Sequence, residues 1–122
     1  MKVKLLQKYL SVCLVGSVLV FSACSDDNSM SDTKIKDLDY YKANKEEAVK
    51  KAQWCFNKGD ISKESIEAVI DEAKRKNEIY FLNGFKNIVD KLKETKKFNE
   101  VDIKNCYRAS QVFVLIEIEN RK

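Results

Sequence analysis

The chain has 122 residues, a formal charge of +4, 34% charged residues and no histidine or proline. Without histidine, the commonest general base and the commonest metal ligand are both missing, which argues against an enzyme, a metal centre or a cofactor site. Three of the cations, Lys2, Lys4 and Lys8, precede the apolar run Tyr9 to Ala23, so the remainder carries only about +1, too little for a nucleic-acid binder whose affinity rests on phosphate neutralisation.

That apolar run covers 15 residues, short of the roughly 20 a helix needs to cross about 30 Å of hydrocarbon. Residues 1–23 therefore read as a secretory signal peptide. Its end, Phe21-Ser22-Ala23-Cys24, resembles the lipobox of bacterial lipoproteins, with Phe21 where leucine is usual. The resemblance implies a diacylglycerol on the Cys24 thiol, cleavage before it, and a third acyl chain such as palmitate. Two or three chains, each contributing about 0.8 kcal/mol per buried methylene, make a stable anchor in the bacterial envelope, facing the periplasm or the exterior. Residues 24–37, polar and rich in turn formers, are expected as a flexible lipidated tether, and 38–122 as one small domain.

With Cys13 in the signal and Cys24 acylated, Cys55 and Cys106 remain. Export places them in an oxidising compartment, where such a pair in a small domain forms a disulfide.

Asn44-Lys45-Glu46-Glu47 has the spacing of a capping box. It predicts a helix to about Asn57, closed by Gly59, with Ala48, Ala52, Cys55 and Phe56 or Val49 and Trp54 inward; Leu38, Tyr40 and Tyr41 extend it backwards by a turn. Trp54 is expected as a core anchor packed on the disulfide. From Ser62, apolar residues recur every three or four positions as far as Leu92, a helical stripe. Asn77 and Asn83-Gly84 interrupt it, and the pattern fits one long helix or two, about 63–76 and 79–94. Tyr80-Phe81-Leu82 is apolar on three sides; the simpler reading has it filling the core, the alternative has part of it facing a partner. Lys91 to Lys97 is a basic patch that suits a solvated helix end, with anionic lipid as a second reading. A last helix is expected over about 100–118, because a lone β-branched strand at 111–118 would lack a partner for its backbone. The fold class is all-α: a small bundle of three or four short helices tied by one disulfide.

Paired carboxylates Glu46 with Glu47 and Asp71 with Glu72 read as solvated faces rather than acid–base pairs, since adjacent helical residues point apart. One family resemblance is carried by Asp39-Tyr40-Tyr41-Lys42-Ala43-Asn44-Lys45-Glu46-Glu47, Cys55, Asn57-Lys58-Gly59 and Asn105-Cys106-Tyr107-Arg108-Ala109. Together with the lipobox these are similar to the entry-exclusion lipoproteins of conjugative plasmids. Tyr40 stands where tryptophan is usual, Lys58 replaces a proline, and the segment between the two cysteines is longer than in that family. The resemblance implies a protein that blocks redundant DNA transfer by binding a membrane component of an incoming type IV secretion system, with no small-molecule substrate. Interface candidates are the aromatics Tyr40, Tyr41, Tyr80, Phe81 and Phe85. A periplasmic inhibitor of a hydrolase and a structural envelope-assembly lipoprotein are the alternatives.

Overall fold

The computed structural model describes residues 29–122; the segment 1–23 expected as a signal peptide, Cys24 and the first part of the expected tether lie outside the described residues. Among the described residues the protein is all-α, with α1 (Leu38–Ala43), α2 (Lys45–Lys58), α3 (Lys63–Lys76), α4 (Asn83–Thr95) and α5 (Glu100–Asn120) in a compact unit that begins at Asp32.

Each helix limit has a local cause. Asp37 caps α1, its Oδ1 accepting from the Tyr40 N–H at 2.8 Å. Asn44 separates α1 from α2, but the expected capping box does not form: the Asn44 amide donates to the Tyr40 carbonyl at 2.9 Å, and Glu47 is drawn to other partners. Gly59 ends α2 with ordinary right-handed backbone (φ −87°), and the left-handed residue is Asp60 (φ 58°). Glycine is needed at 59 for space instead, since a Cβ there would lie 2.3 Å from Leu92 Cδ2 and 2.9 Å from the Cys55 carbonyl oxygen. Ser62 caps α3 by accepting from the Ser65 N–H, and Asn77 closes it in the left-handed region that asparagine tolerates (φ 55°). Hence the stripe 62–92 is two helices. Asn99 caps α5 by accepting from the Asp102 N–H at 2.7 Å.

The core is built around α5, which touches each of the other four helices and packs most extensively against α2. Residues 109–114 are buried on every side, as a central helix requires, and the strand alternative for 111–118 is replaced by continuous helix. Cys55 on α2 and Cys106 on α5 form a disulfide with Cα atoms 5.9 Å apart. Edge-to-face pairs Phe56–Phe113 and Phe85–Tyr107 carry the packing outwards, and Trp54 is buried against Phe98. The helices α3 and α4 approach so closely that a Cβ on Gly84 would lie 2.3 Å from Val69 Cγ2. The glycine that lowers helix propensity is therefore what lets the two helices meet.

Two expectations need correction. The domain does not start at Leu38: residues 32–36, read as tether, are hydrogen-bonded to α5. Tyr41 and Phe85, read as interface aromatics, are fully buried core residues, at 0% and 1% exposure. Amphipathic spacing puts an aromatic on a face but does not say whether another helix covers that face.

Candidate functional site

The loop 77–82 between α3 and α4 is fixed at both ends. Ile79 and Leu82 are plugged into the core, and the fully buried Gln111 of α5 donates from Nε2 to the Ile79 carbonyl at 2.9 Å. Immediately after the loop, the N–H groups of Asn83 and Gly84 each donate at 2.9 Å to the carboxylate of Glu72, which also accepts from Lys76 at 3.1 Å. Leu82 offers no capping side chain, so a residue eleven positions upstream satisfies the α4 N-terminus. Burial pushes the Glu72 carboxyl up, but the two backbone donors and Lys76 outweigh it and hold it below the usual carboxylate value.

Between these fixed points Tyr80 and Phe81 are turned outwards. Phe81 is 89% exposed and sits in the left-handed region (φ 54°), where a bulky side chain is an outlier. The cost of such backbone, on the order of 1–3 kcal/mol, is not repaid by burial here. Tyr80, 41% exposed, has its ring 5.9 Å from Lys42 Nζ, which also donates to its hydroxyl at 3.4 Å.

Phe81 forms one lip of a groove of about 620 Å³ between α4 and the first half of α5. Its apolar lining comes from Phe85 and Val89 on α4 and Ile103 and Tyr107 on α5. Lys86, Lys93 and Lys104 stand along it with Asp90 and Glu100, and none of the five makes an ion pair among the described residues. Phe85 thus belongs to the groove as part of its floor rather than as an exposed contact.

On the opposite face of α5 lies a polar cluster. Lys51, 1% exposed, places its Nζ 2.8 Å from Asp102 and 3.0 Å from Asp32, and 4.4 Å from the centroid of the Trp54 ring. Asn105 donates to the Asp32 carboxylate and the Lys34 carbonyl, both at 2.9 Å, and accepts from the Lys36 N–H at 2.8 Å. Asp102 accepts from the Asp32 N–H at 2.8 Å. Lys36 reaches on to Glu47 at 2.6 Å, and Glu47 accepts from the Tyr40 hydroxyl at 2.7 Å. Tyr40, 36% exposed, is therefore tied to this cluster by its hydroxyl, with Lys36 Nζ 5.3 Å from its ring centroid. Burial raises the Asp32 carboxyl, but hydrogen bonds from Asn105 and Lys51 more than offset it; the bond from Lys36 lowers Glu47.

The aromatic candidates thus separate: Tyr80 and Phe81 share the exposed loop, Tyr40 lies on the polar cluster, and Tyr41 and Phe85 are core. The buried Lys51, Asp102 and Asn105 were not expected from the sequence, although Lys51 falls in register with Ala48, Ala52 and Cys55, and Asp102 and Asn105 with Cys106 and Ala109. Charge at a position on an inward stripe was the available signal. Among the described residues, no group of three His, Cys, Asp or Glu side chains could hold a metal ion, and no helix is long and apolar enough to cross a membrane.

The fold and site define an all-α, disulfide-tied module that presents a strained aromatic beside an apolar groove. No protein-family model matches the chain, and neither a curated protein nor a solved structure shows significant similarity to it.

Proposed function

We propose that the protein is an envelope lipoprotein, anchored by acyl chains on Cys24, that acts by docking its helical domain onto a protein partner and performs no catalysis. The observation that carries the docking reading is Phe81, displayed at 89% exposure on positive-φ backbone between two pinned loop ends. Strain of that kind concentrates at functional positions, and an aromatic on a loop anchored at both ends gives contact area at low backbone-ordering cost. The chain contains no histidine, in keeping with a role that asks only for binding.

The particular role we propose is entry exclusion: the module engages a membrane component of an incoming type IV secretion system and prevents redundant conjugative transfer. The lipobox-like segment ending at Cys24 and the Asn105-Cys106-Tyr107-Arg108-Ala109 segment support it. Asp32 follows Cys24 by eight residues, a reach of at most about 29 Å, so a lipid on Cys24 would keep the domain next to the bilayer in which such a partner lies.

The test is conjugation into recipient cells that express the chain. Transfer from a matching donor should drop in the presence of the wild-type protein and recover with Phe81→Ser or Cys24→Ser. Unchanged transfer with the wild-type protein would refute entry exclusion, and mass spectrometry showing an unmodified, uncleaved amino end would refute the anchor.

A further inference from the structure

The groove beside Phe81 has the shape of a missing helix. On α4 the lining residues 86, 89, 90 and 93 form one set, with Asn83 and Phe85 beside them, and on α5 the residues 100, 103, 104 and 107 form another. Each set is an i, i+3, i+4, i+7 row, one face of a helix over two turns, about 10 Å long. Two such rows side by side, with Phe85, Val89, Ile103 and Tyr107 as an apolar floor and charged side chains at the other positions, leave a trough of the kind that an amphipathic helix fills with anchors at the same spacing.

Charge selects among such helices. The segment 81–108 that forms the trough has seven cationic side chains against four carboxylates, and one of those four, Asp102, is buried on Lys51 on the far side of α5. At the trough itself stand Lys86, Lys93 and Lys104 against Asp90 and Glu100, and the remaining excess of cations comes from Lys91, Lys96, Lys97 and Arg108 around it. We infer that this groove receives an amphipathic helix of a partner protein whose apolar stripe is flanked by carboxylates, with Phe81 folding over its outer side. The inference rests on the docking reading above and adds the chemistry of the partner.

The test uses the full lipidated chain in nanodiscs of phosphatidylcholine, a neutral lipid. The probe is a labelled 18-residue peptide with leucine and phenylalanine at i, i+3, i+4 and i+7 and glutamate on both flanks. The comparison peptide has lysine at every glutamate position. Fluorescence anisotropy should show the acidic peptide binding at least ten-fold tighter than the basic one, with affinity falling as salt is raised. The triple variant Lys86→Glu/Lys93→Glu/Lys104→Glu changes only exposed side chains, and its helix content and Tm report that it folds. It should reverse the preference, taking the basic peptide and losing the acidic one.

Equal binding of both peptides, or a preference that survives the triple reversal, overturns the inference. So does loss of acidic-peptide binding when phosphatidylglycerol is added to the discs, which would mark the groove as a lipid-facing surface. A partner cross-linked through a photoreactive group at position 81 that presents a basic surface would defeat the inference and leave docking intact. A positive peptide result together with unaltered conjugation would uphold the groove's preference and remove the exclusion role.

Discussion

The Nζ of Lys51 lies 2.8 Å from the Oδ1 of Asp102, and neither side chain is more than 2% exposed. Such a pair forms only where hydrogen bonds complete it, and here Asp32 supplies a second carboxylate at 3.0 Å and the Trp54 ring a face at 4.4 Å. Lys51→Met keeps the length of the side chain and removes its charge, leaving two carboxylates together in the interior. Asp102 is buried and Asp32 part-exposed, so the change should destabilise by about 3 kcal/mol, read as a fall in the urea midpoint. A loss under about 1 kcal/mol would mean the cluster is solvated.

Acid should act through Asp32 and through two carboxylates outside that pair, Glu47 and Glu72. Asp32, Glu47 and Glu72 are all held below their ordinary values, so each contributes stability that is present above its unfolded value and is lost as pH falls through the lower folded one. Thermal stability should therefore decline as pH drops below about 4.5, the ordinary value of Glu72, and the Glu72→Gln variant should show a shallower decline. At the alkaline end the sign reverses, because burial raises the Tyr41 phenol and its contribution is lost as pH rises past 10.0. A pH profile for Glu72→Gln that parallels the wild type would remove Glu72 from this account.

Gly84→Ala sets helix propensity against packing. Propensity alone favours alanine by about 1 kcal/mol, whereas the added Cβ would lie 2.3 Å from Val69 Cγ2 and 3.1 Å from Val69 Cβ. Overpacking should win and destabilise by about 1–3 kcal/mol. The double variant Val69→Ala/Gly84→Ala should cost less than the two single changes combined, a coupling read from a double-mutant cycle.

Phe81→Gly should separate stability from function. With its ring exposed, the side chain contributes little burial, while glycine relieves a left-handed residue at about 1–2 kcal/mol, less the entropy glycine adds to the unfolded chain. The variant should be as stable as the wild type or up to about 1 kcal/mol more stable, yet fail in the transfer and peptide assays. A clear fall in Tm would mean Phe81 belongs to the core.

The disulfide spans 51 positions, and chain-entropy reckoning assigns such a loop about 4 kcal/mol. For a domain of this size, reduction or the Cys55→Ala/Cys106→Ala change should lower Tm by roughly 15 °C or more. A shift of only a few degrees under dithiothreitol would show that helix packing holds the domain unaided.

The parts of this fold that were legible in the sequence are those decided by neighbours along the chain. Ser62 opens α3 and Asn99 opens α5, because each acts on backbone within three residues, whereas the pattern left open whether Asn77 breaks the long stripe. The disulfide was legible because the expected signal and acylation set Cys13 and Cys24 aside, leaving Cys55 and Cys106 as the one pair. The capping role of Glu72 was not, since its partners lie eleven and twelve positions away on a helix whose own start carries no cap. Nor was the clasp on residues 32–36, whose hydrogen bonds to Asp102 and Asn105 bridge about 70 positions. The exposed half of the aromatic set could not be told from the buried half, because Tyr40 and Tyr41 are adjacent in sequence and differ only in which way the helix turns them.

Asp32 and Lys36 are fastened to Asp102 and Asn105, which flank the start of the α5 face that holds Cys106, and Cys106 is covalently joined to Cys55. A tug on the amino end would enter this rivet first. It would pass through these side-chain hydrogen bonds into α5 and, by way of the Cys55–Cys106 bond, into α2. The loop that carries Phe81 is tied to the same α5 by the bond from Gln111 to the Ile79 carbonyl, so the exposed aromatic and the amino end share one central rod.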